Sequence, residues 1–349
     1  MLPAFTATRI GSALLLSLAG LLACVPVRST SGHDGVLRAV LISDLNASYG
    51  STHYPAEVAR VIDHITDTWR PDLVLVAGDM VAGQSPQLTD ASVRAMWHAF
   101  DSVVAAPLRA ARIPVVVTLG NHDGSAYPAH MRDRRMATEY WRGSAASTEP
   151  LPFAEQEHYP LRYTVRYGDV LIVAWDATNQ ESARSGELLD WLEQSLTNPR
   201  AAHARHRVVL GHLPLYAVAE GRDRPGEVLA DGDALRRKLE DWGATLFISG
   251  HHHAYFPGRR GALELLHAGA LGEGPRQLLG TSSPAHKTVS VLDFLADSVA
   301  ITTYVVSAES GGLDPLPVER LPAVICSTHG WVVRRDLVDA DAAWPCTAR

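Results

Sequence analysis

The chain is poor in several things. It holds three cysteines among 349 residues, aromatics make up 7%, and positive charge is not in excess. A formal charge of -7 at pH 7 gives no electrostatic ground for a nucleic-acid duplex as partner, because affinity for a phosphate backbone rests on clustered Lys and Arg. The N-terminal apolar run, Ile10 to Ala23, is shorter than the roughly 20 residues a helical membrane span needs. Following Arg9 directly, it reads as a secretory signal rather than a span. What remains is ordinary: 46% hydrophobic and 20% charged residues suit a globular protein with one large α/β domain or two smaller ones.

The run ends in Leu21-Leu22-Ala23-Cys24, which resembles a bacterial lipobox, whose Cys is acylated and becomes the new N-terminus. An ordinary cleaved signal or an uncleaved anchor is the alternative. The expected layout is a signal peptide with lipobox over 1–23, a small polar linker over 24–35, a folded domain over 36–306 and a tail over 307–349. Such a protein is exported, with its lipid in the bilayer through acylated Cys24, facing the periplasm or exterior. Cys326 and Cys346 then remain in an oxidising setting and are expected to form a disulfide, with two unpaired thiols as the alternative. Neither lies near a His-rich block, so the chain offers no Cys-based chemistry.

From Val36 onward, β-branched apolar runs alternate with helical patterns. Strands are expected at Leu37–Ile42, Leu73–Ala77, Val115–Leu119, Tyr163–Tyr167, Val170–Trp175, Val208–Leu210 and Leu246–Ile248. Helices are expected at Ala56–Trp69, Ser92–Arg109, Glu187–Leu196 and Asp233–Asp241. Later runs at Leu263–His267, Thr288–Phe294 and Val299–Val305 follow one another without helices, which suggests a second, mixed or antiparallel sheet. The segment Gly124–Gln156 reads as a long loop, either a substrate mouth or a surface insertion with one short helix. Beyond Ser307 the tail either wraps the core or lies loose.

Five short blocks end strand-like runs: Asp44-Leu45-Asn46, Gly78-Asp79, Gly120-Asn121-His122-Asp123, Gly211-His212 and Gly250-His251-His252-His253. A parallel sheet would bring them together at its carboxyl edge. Mixed carboxylate, amide and imidazole donors suit zinc, manganese or iron, and a shared carboxylate holds two such ions close together. Asp79 is the natural bridge.

The order and content of the blocks resemble the calcineurin-like metallophosphoesterases, whose pattern is D-x-H, G-D, G-N-H-[DE], G-H and G-H-x-H. The resemblance covers roughly Val36 to Val305, and Trp175-Asp176, Trp191-Leu192 and Gly211-His212-Leu213-Pro214 look like its exported, purple-acid-phosphatase-like and cyclic-nucleotide-phosphodiesterase-like branches. It implies the four-layer α/β/β/α sandwich of the metallo-dependent phosphatases and a dinuclear centre of divalent or mixed-valence iron, manganese or zinc. The first metal would take Asp44, Asp79 and His253, and the second Asp79, Asn121, His212 and His251. His122 would protonate or stabilise the leaving oxygen. The implied reaction is hydrolysis of a small phosphate mono- or diester by a metal-bridging hydroxide.

The sequence departs from the pattern at Asn46, where the family usually has His. Three readings stand open: a ligand through the amide oxygen, an orienter, or a structural residue at a site that has lost its first metal. Purple acid phosphatases supply a Tyr soon after Gly-Asp, and Met80-Val81-Ala82 contains none, which disfavours a ferric tyrosinate. No Asp follows Asp79 closely to orient His122. A non-catalytic or single-metal lipoprotein on the same scaffold is the competing hypothesis, and a lipid-linked pyrophosphate is a further substrate class. His267 and His286 read as hydrogen-bonded loop or core residues, His203 and His206 as solvated, Gly269–Gly274 as a tight turn and Arg259-Arg260 as a solvated turn.

Overall fold

A computed structural model describes residues 1, 36–143, 150–307, 311–337 and 346; Cys24 and the proposed signal lie outside them. Two sheets organise these residues. The first has six strands in the order β13-β12-β11-β1-β2-β3. Its parallel part is β1 (Leu37–Ile42), β2 (Leu73–Val76) and β3 (Val115–Val117). β11 (Thr288–Phe294), β12 (Val299–Val306) and β13 (Leu313–Pro315) extend it antiparallel.

The second sheet has nine strands, β14-β15-β9-β10-β8-β7-β6-β5-β4. Its centre is parallel: β6 (Val170–Ala174), β7 (His206–Leu210), β8 (Leu246–Ser249) and β10 (Leu263–His267). β4 (Phe153–His158) and β5 (Arg162–Tyr167) flank one side antiparallel, and β9 (Phe256–Arg260), β15 (Gly330–Arg334) and β14 (Val324–Ser327) the other.

Strand alternation explains the layering, because successive side chains point to opposite faces. On β1, Ala39 and Leu41 enter the core between the sheets, while Val40 and Ile42 face outward under helices. β2 repeats this with Leu73 and Leu75 inward, Val74 and Val76 outward. In the second sheet Ile172, Val208 and Ile248 meet the central core, while Val173, Val209 and Phe247 face the opposite helices.

Strands buried on both faces read as continuous apolar runs, as parallel sheets require. The helices cover the outer faces. α1 (Ala56–His64) lays down Val58, Val61 and Ile62, and α2 (Asp90–Phe100) Val93, Met96, Trp97 and Phe100. α2 is started by Thr89, whose hydroxyl accepts the Ser92 N–H at 3.1 Å. The short α3 (Ala106–Ala110) and α4 (Asn121–Gly124) follow on this side, with α5 (Met131–Arg142) beyond them. α6 (Gly186–Thr197), α7 (Pro199–Ala202) and α8 (Gly232–Asp241) cover the second sheet through Leu192, Leu196, Leu235 and Leu239. Three separate cores, one between the sheets and one under each helical layer, are the four-layer α/β/β/α sandwich.

Several expectations are corrected. The late strands do not make a sheet of their own: β10 joins the second sheet beside β8, whereas β11 crosses back to pair with β1 and β12 pairs with β11. Which sheet completes its edge is a tertiary choice that local pattern does not carry.

The 124–156 segment holds the twelve-residue α5 and the start of β4. Met136, Ala137 and Trp141 form one buried stripe of α5, and Tyr140 stacks on Trp97 at 4.7 Å, so Trp141 belongs to the core rather than to a mouth.

The tail wraps the core, adding a strand to the first sheet and two to the second, and Cys326 is disulfide-bonded to Cys346. Arg260 lies on β9, sandwiched by Trp331 at 4.0 Å and Tyr216 at 4.7 Å and paired with Asp233 at 2.8 Å, so it is neither a solvated turn nor a phosphate clamp. His206 is buried and donates to the Leu295 carbonyl at 2.6 Å. His267, expected to be hydrogen-bonded, is buried with neither ring nitrogen satisfied among the described residues, and burial pushes it down to about 3.

Candidate metal centre

All five blocks reach one place because β1, β2, β3, β7 and β8 run parallel within their sheets and each block follows the carboxyl end of its strand. The backbone there is unusual. Asp44, Asp79, His251 and His253 have φ of 50°, 54°, 66° and 56°, a left-handed region that costs a residue with a Cβ roughly 1–2 kcal/mol. Four such residues converging on one point mark strain held by the surrounding packing. The preceding glycine makes room: at Gly78, with φ of 92°, an added Cβ would stand 2.5 Å from Nδ1 of His212.

Two donor groups result. Asp79, His212 and His251 form one, Asp44, Asp79 and His253 the other, and within each the donor atoms lie within 4.8 Å of one another. Asp79 belongs to both. Its Oδ2 is 3.4 Å from His212 Nε2, while Oδ1 accepts the His122 N–H at 2.9 Å. Asp44 accepts the Ser43 hydroxyl at 2.6 Å and the His251 N–H at 3.1 Å, and its Oδ1 is 3.3 Å from His253 Nε2. Asn121 Oδ1 lies 3.0 Å from His212 Nε2. Asn46 stands in the same wall through its backbone, its carbonyl accepting from Glu273 N–H at 3.0 Å. Its own N–H donates to the Asp79 carbonyl at 3.3 Å, and its side-chain amide makes no hydrogen bond to the described residues.

Each imidazole is turned by its other nitrogen. His212 Nδ1–H donates to the Ala77 carbonyl at 2.8 Å, and His253 Nδ1–H to the carbonyls of Glu273 and Gly274 at 3.1 and 3.0 Å. His251 Nε2–H donates to Glu227 at 3.0 Å, which leaves Nδ1 as its remaining donor atom. His252 spends both nitrogens, accepting from Val218 N–H and donating to the Glu227 carbonyl. It anchors the loop and cannot ligate.

This is the outer-shell pattern that fixes tautomers in metal sites. Asn121 is held likewise, its amide donating to Gln84 Oε1 at 2.6 Å so that Oδ1 faces His212. Asp123 gathers the N–H groups of Met80, Val81 and Gly120 at 2.8–2.9 Å, tying two of the block loops together. Burial and the neighbouring Asp79 charge push its carboxyl up to about 8.

The orienter of His122, absent from the sequence pattern, is a backbone atom. Its Nδ1–H donates to the Gly83 carbonyl at 3.1 Å, leaving Nε2 on the cluster side, 3.9 Å from Asp79 Oδ2. Glu227 was also missed. It lies on the 216–231 loop between an ion pair with Arg222 and hydrogen bonds from Arg224 at 3.0 and 2.7 Å. Burial opposes its ionisation, but the His251 hydrogen bond and Arg222 outweigh it and hold the carboxyl well below the usual range. Glu227→Gln is expected to weaken metal affinity by roughly 10- to 100-fold while leaving the fold intact. Metal titration followed by thermal melting checks this, and unchanged affinity would exclude the His251–Glu227 pair as a tuning element.

The donor set fits divalent metal. Burial works against ionising Asp44 and Asp79, yet the His253 and His212 imidazoles respectively outweigh it, so both carboxyls sit below their ordinary range. Burial, only partly offset by the hydrogen bond to Glu227, pushes His251 down to about 4, so it is neutral and free to ligate. His212 differs: burial opposes its protonation, but Asp79 and Asp44 dominate and push it up to about 9.

The metal-free protein therefore carries a proton on His212 whose stabilising effect is full below about pH 6.5 and fades as pH rises through about 9. Metal must displace that proton. Apparent affinity is expected to rise about tenfold per pH unit from about 6.5 to about 8.5, with proton release measurable by calorimetry in buffers of different ionisation enthalpy. A flat profile would contradict the assignment of His212.

Two sheets with a buried N,O-donor cluster at their carboxyl edges define the class of metal-dependent phosphatases. A sequence profile of the calcineurin-like phosphoesterases matches residues 37–255. The chain belongs to the calcineurin-like phosphoesterase family and is a metallophosphoesterase, a hydrolase.

Solved structures share its fold at low identity. A purple acid phosphatase from yellow lupin (Lupinus luteus) seeds superposes with a TM-score of 0.57 at 15% identity, covering 80% of this chain and 53% of the lupin chain. This chain thus spans about half of that enzyme. The anchor in the inner membrane complex of Plasmodium gives 0.52 at 13% identity, covering 81% and 90%, and a dimetal phosphatase from Danio rerio 0.51 at 16%, covering 76% and 95%. No curated protein matches the chain by sequence.

Proposed function

We propose that the chain hydrolyses phosphate mono- or diesters at a two-metal centre, one metal on Asp44, Asp79 and His253 and the other on Asp79, Asn121, His212 and His251. The observation that carries this reading is the shared, buried Asp79 carboxylate with His122 Nε2 beside it. Asn46, with its amide uncommitted, completes the first set. When bound, such ions supply Lewis-acid charge for a phosphate and acidify water.

The chain's own residues do the rest. Asp44 and Asp79 hold negative charge in a buried setting, so the site selects cations and is left positive only when two are bound. His122, fixed by Gly83, keeps Nε2 aimed at the cluster and gives a proton to the departing ester oxygen. Gln84 and Glu227 hold Asn121 and His251 in their productive orientations.

The lipobox-like Leu21 to Cys24 supports export and lipid anchoring to the cell envelope. Among the described residues no helix is long and apolar enough to cross a membrane. A panel of phosphomonoesters, cyclic nucleotides and pyrophosphates offered to the metal-loaded protein tests the activity. Turnover of at least one ester class is expected, and none on any of them would overturn the reading.

A further inference from the structure

We infer that Tyr49 forms a leaving-group subsite that favours esters of planar, aromatic alcohols; this rests on the phosphohydrolase reading and on His122 as its acid. Tyr49 is 63% exposed, yet its ring lies against the His122 imidazole, with centroids 5.1 Å apart and planes tilted by 34°. An aromatic ring left mostly in water gains little from folding, so its placement calls for another explanation.

The placement is built rather than incidental. Gly50 N–H donates to the Ala82 carbonyl at 2.7 Å, and the next carbonyl, Gly83, holds His122 Nδ1. Adjacent residues of one loop therefore hold the His122 ring and the backbone that carries Tyr49. Gly50 itself has φ of 80° and sits so close to Leu88 that an added Cβ would stand 2.8 Å from it, so the turn presenting Tyr49 is seated against the neighbouring loop. Tyr54 adds a further tie, its hydroxyl donating to the Met80 carbonyl at 2.7 Å.

A leaving oxygen within reach of His122 Nε2 carries its substituent out beside the imidazole, whose ring has Tyr49 as its aromatic neighbour at 5.1 Å. The chemistry of an exposed phenol ring is to stack on another ring, in offset or tilted geometry. A flat substituent covers Tyr49, and a saturated one of equal bulk gains less. Tyr49 is thus a specificity-determining residue, while His122 retains the proton transfer.

Benzylphosphonate and cyclohexylmethylphosphonate are matched in bulk, are not cleaved, and differ in the ring. On the metal-loaded full chain, benzylphosphonate is expected to bind roughly three- to tenfold more tightly. Tyr49→Phe should keep that ratio and Tyr49→Ala should reduce it to about one. Equal affinities in the native protein, or a ratio that survives in Tyr49→Ala, would overturn the subsite while leaving the metal centre standing. If Tyr49 only shields His122, Tyr49→Ala slows turnover of benzyl and cyclohexylmethyl phosphate equally and leaves the binding ratio untouched, which also overturns it. Failure of both phosphonates to bind at all would overturn the phosphohydrolase reading and the subsite with it.

Discussion

Asp79→Asn is expected to reduce turnover of any phosphate ester by roughly 10³-fold or more, since losing a bridging charge removes several kcal/mol of metal-derived stabilisation and each 1.36 kcal/mol is tenfold in rate. Asn is the informative replacement. It tolerates the left-handed backbone at this position, where Ala would add strain, and its amide oxygen can still accept the His122 N–H. The change therefore isolates the carboxylate charge from the geometry it supports. Loss of activity should accompany loss of metal. Retained metal with lost activity would point to a role for Asp79 other than bridging, and full activity would refute its assignment.

His122→Ala should behave differently. The metal complement is expected to remain, because no atom of His122 belongs to either donor group, while kcat on alkyl phosphates falls by roughly 10²–10⁴-fold. On a nitrophenyl ester, whose leaving group needs no proton, the loss should be far smaller. That contrast is what general-acid assistance predicts, and equal losses on both esters would assign His122 to binding or orientation instead. Asp79 and His122 thus separate the two halves of the account: one removes the metals, the other the proton.

Much of this was legible from the sequence because strand ends and ligand blocks coincide. A β-branched run followed by Gly-Asp or Gly-His fixes both the sheet and the residue at its edge, so Asp79 and His212 could be placed from local pattern alone. The four-layer arrangement followed from the family resemblance rather than from the periodicity.

What stayed hidden depends on contacts between distant segments. Glu227 reaches His251 from a loop 24 residues away and carries no motif. Gln84 and Gly83 act on Asn121 and His122 from 37 and 39 residues away, the latter through a carbonyl, which no side-chain reading reveals. α5 exceeds the one short helix that the 124–156 segment suggests, because its arginine-rich sequence obscures a stripe of Met136, Ala137 and Trp141. Nothing local in β10, β11 and β12 says that the first joins one sheet and the other two the opposite one. The positive φ of Asp44, Asp79, His251 and His253 is a further hidden feature, hinted at only by the glycines that precede Asp79 and His251.

The central claim is a two-metal site that depends on one shared carboxylate. Metal quantification on the native protein and on Asp79→Asn, each loaded and then freed of excess ion, tests it most directly. The account predicts two ions per chain in the native protein and one or none in the variant. A single ion in the native protein, or two in both, would contradict it.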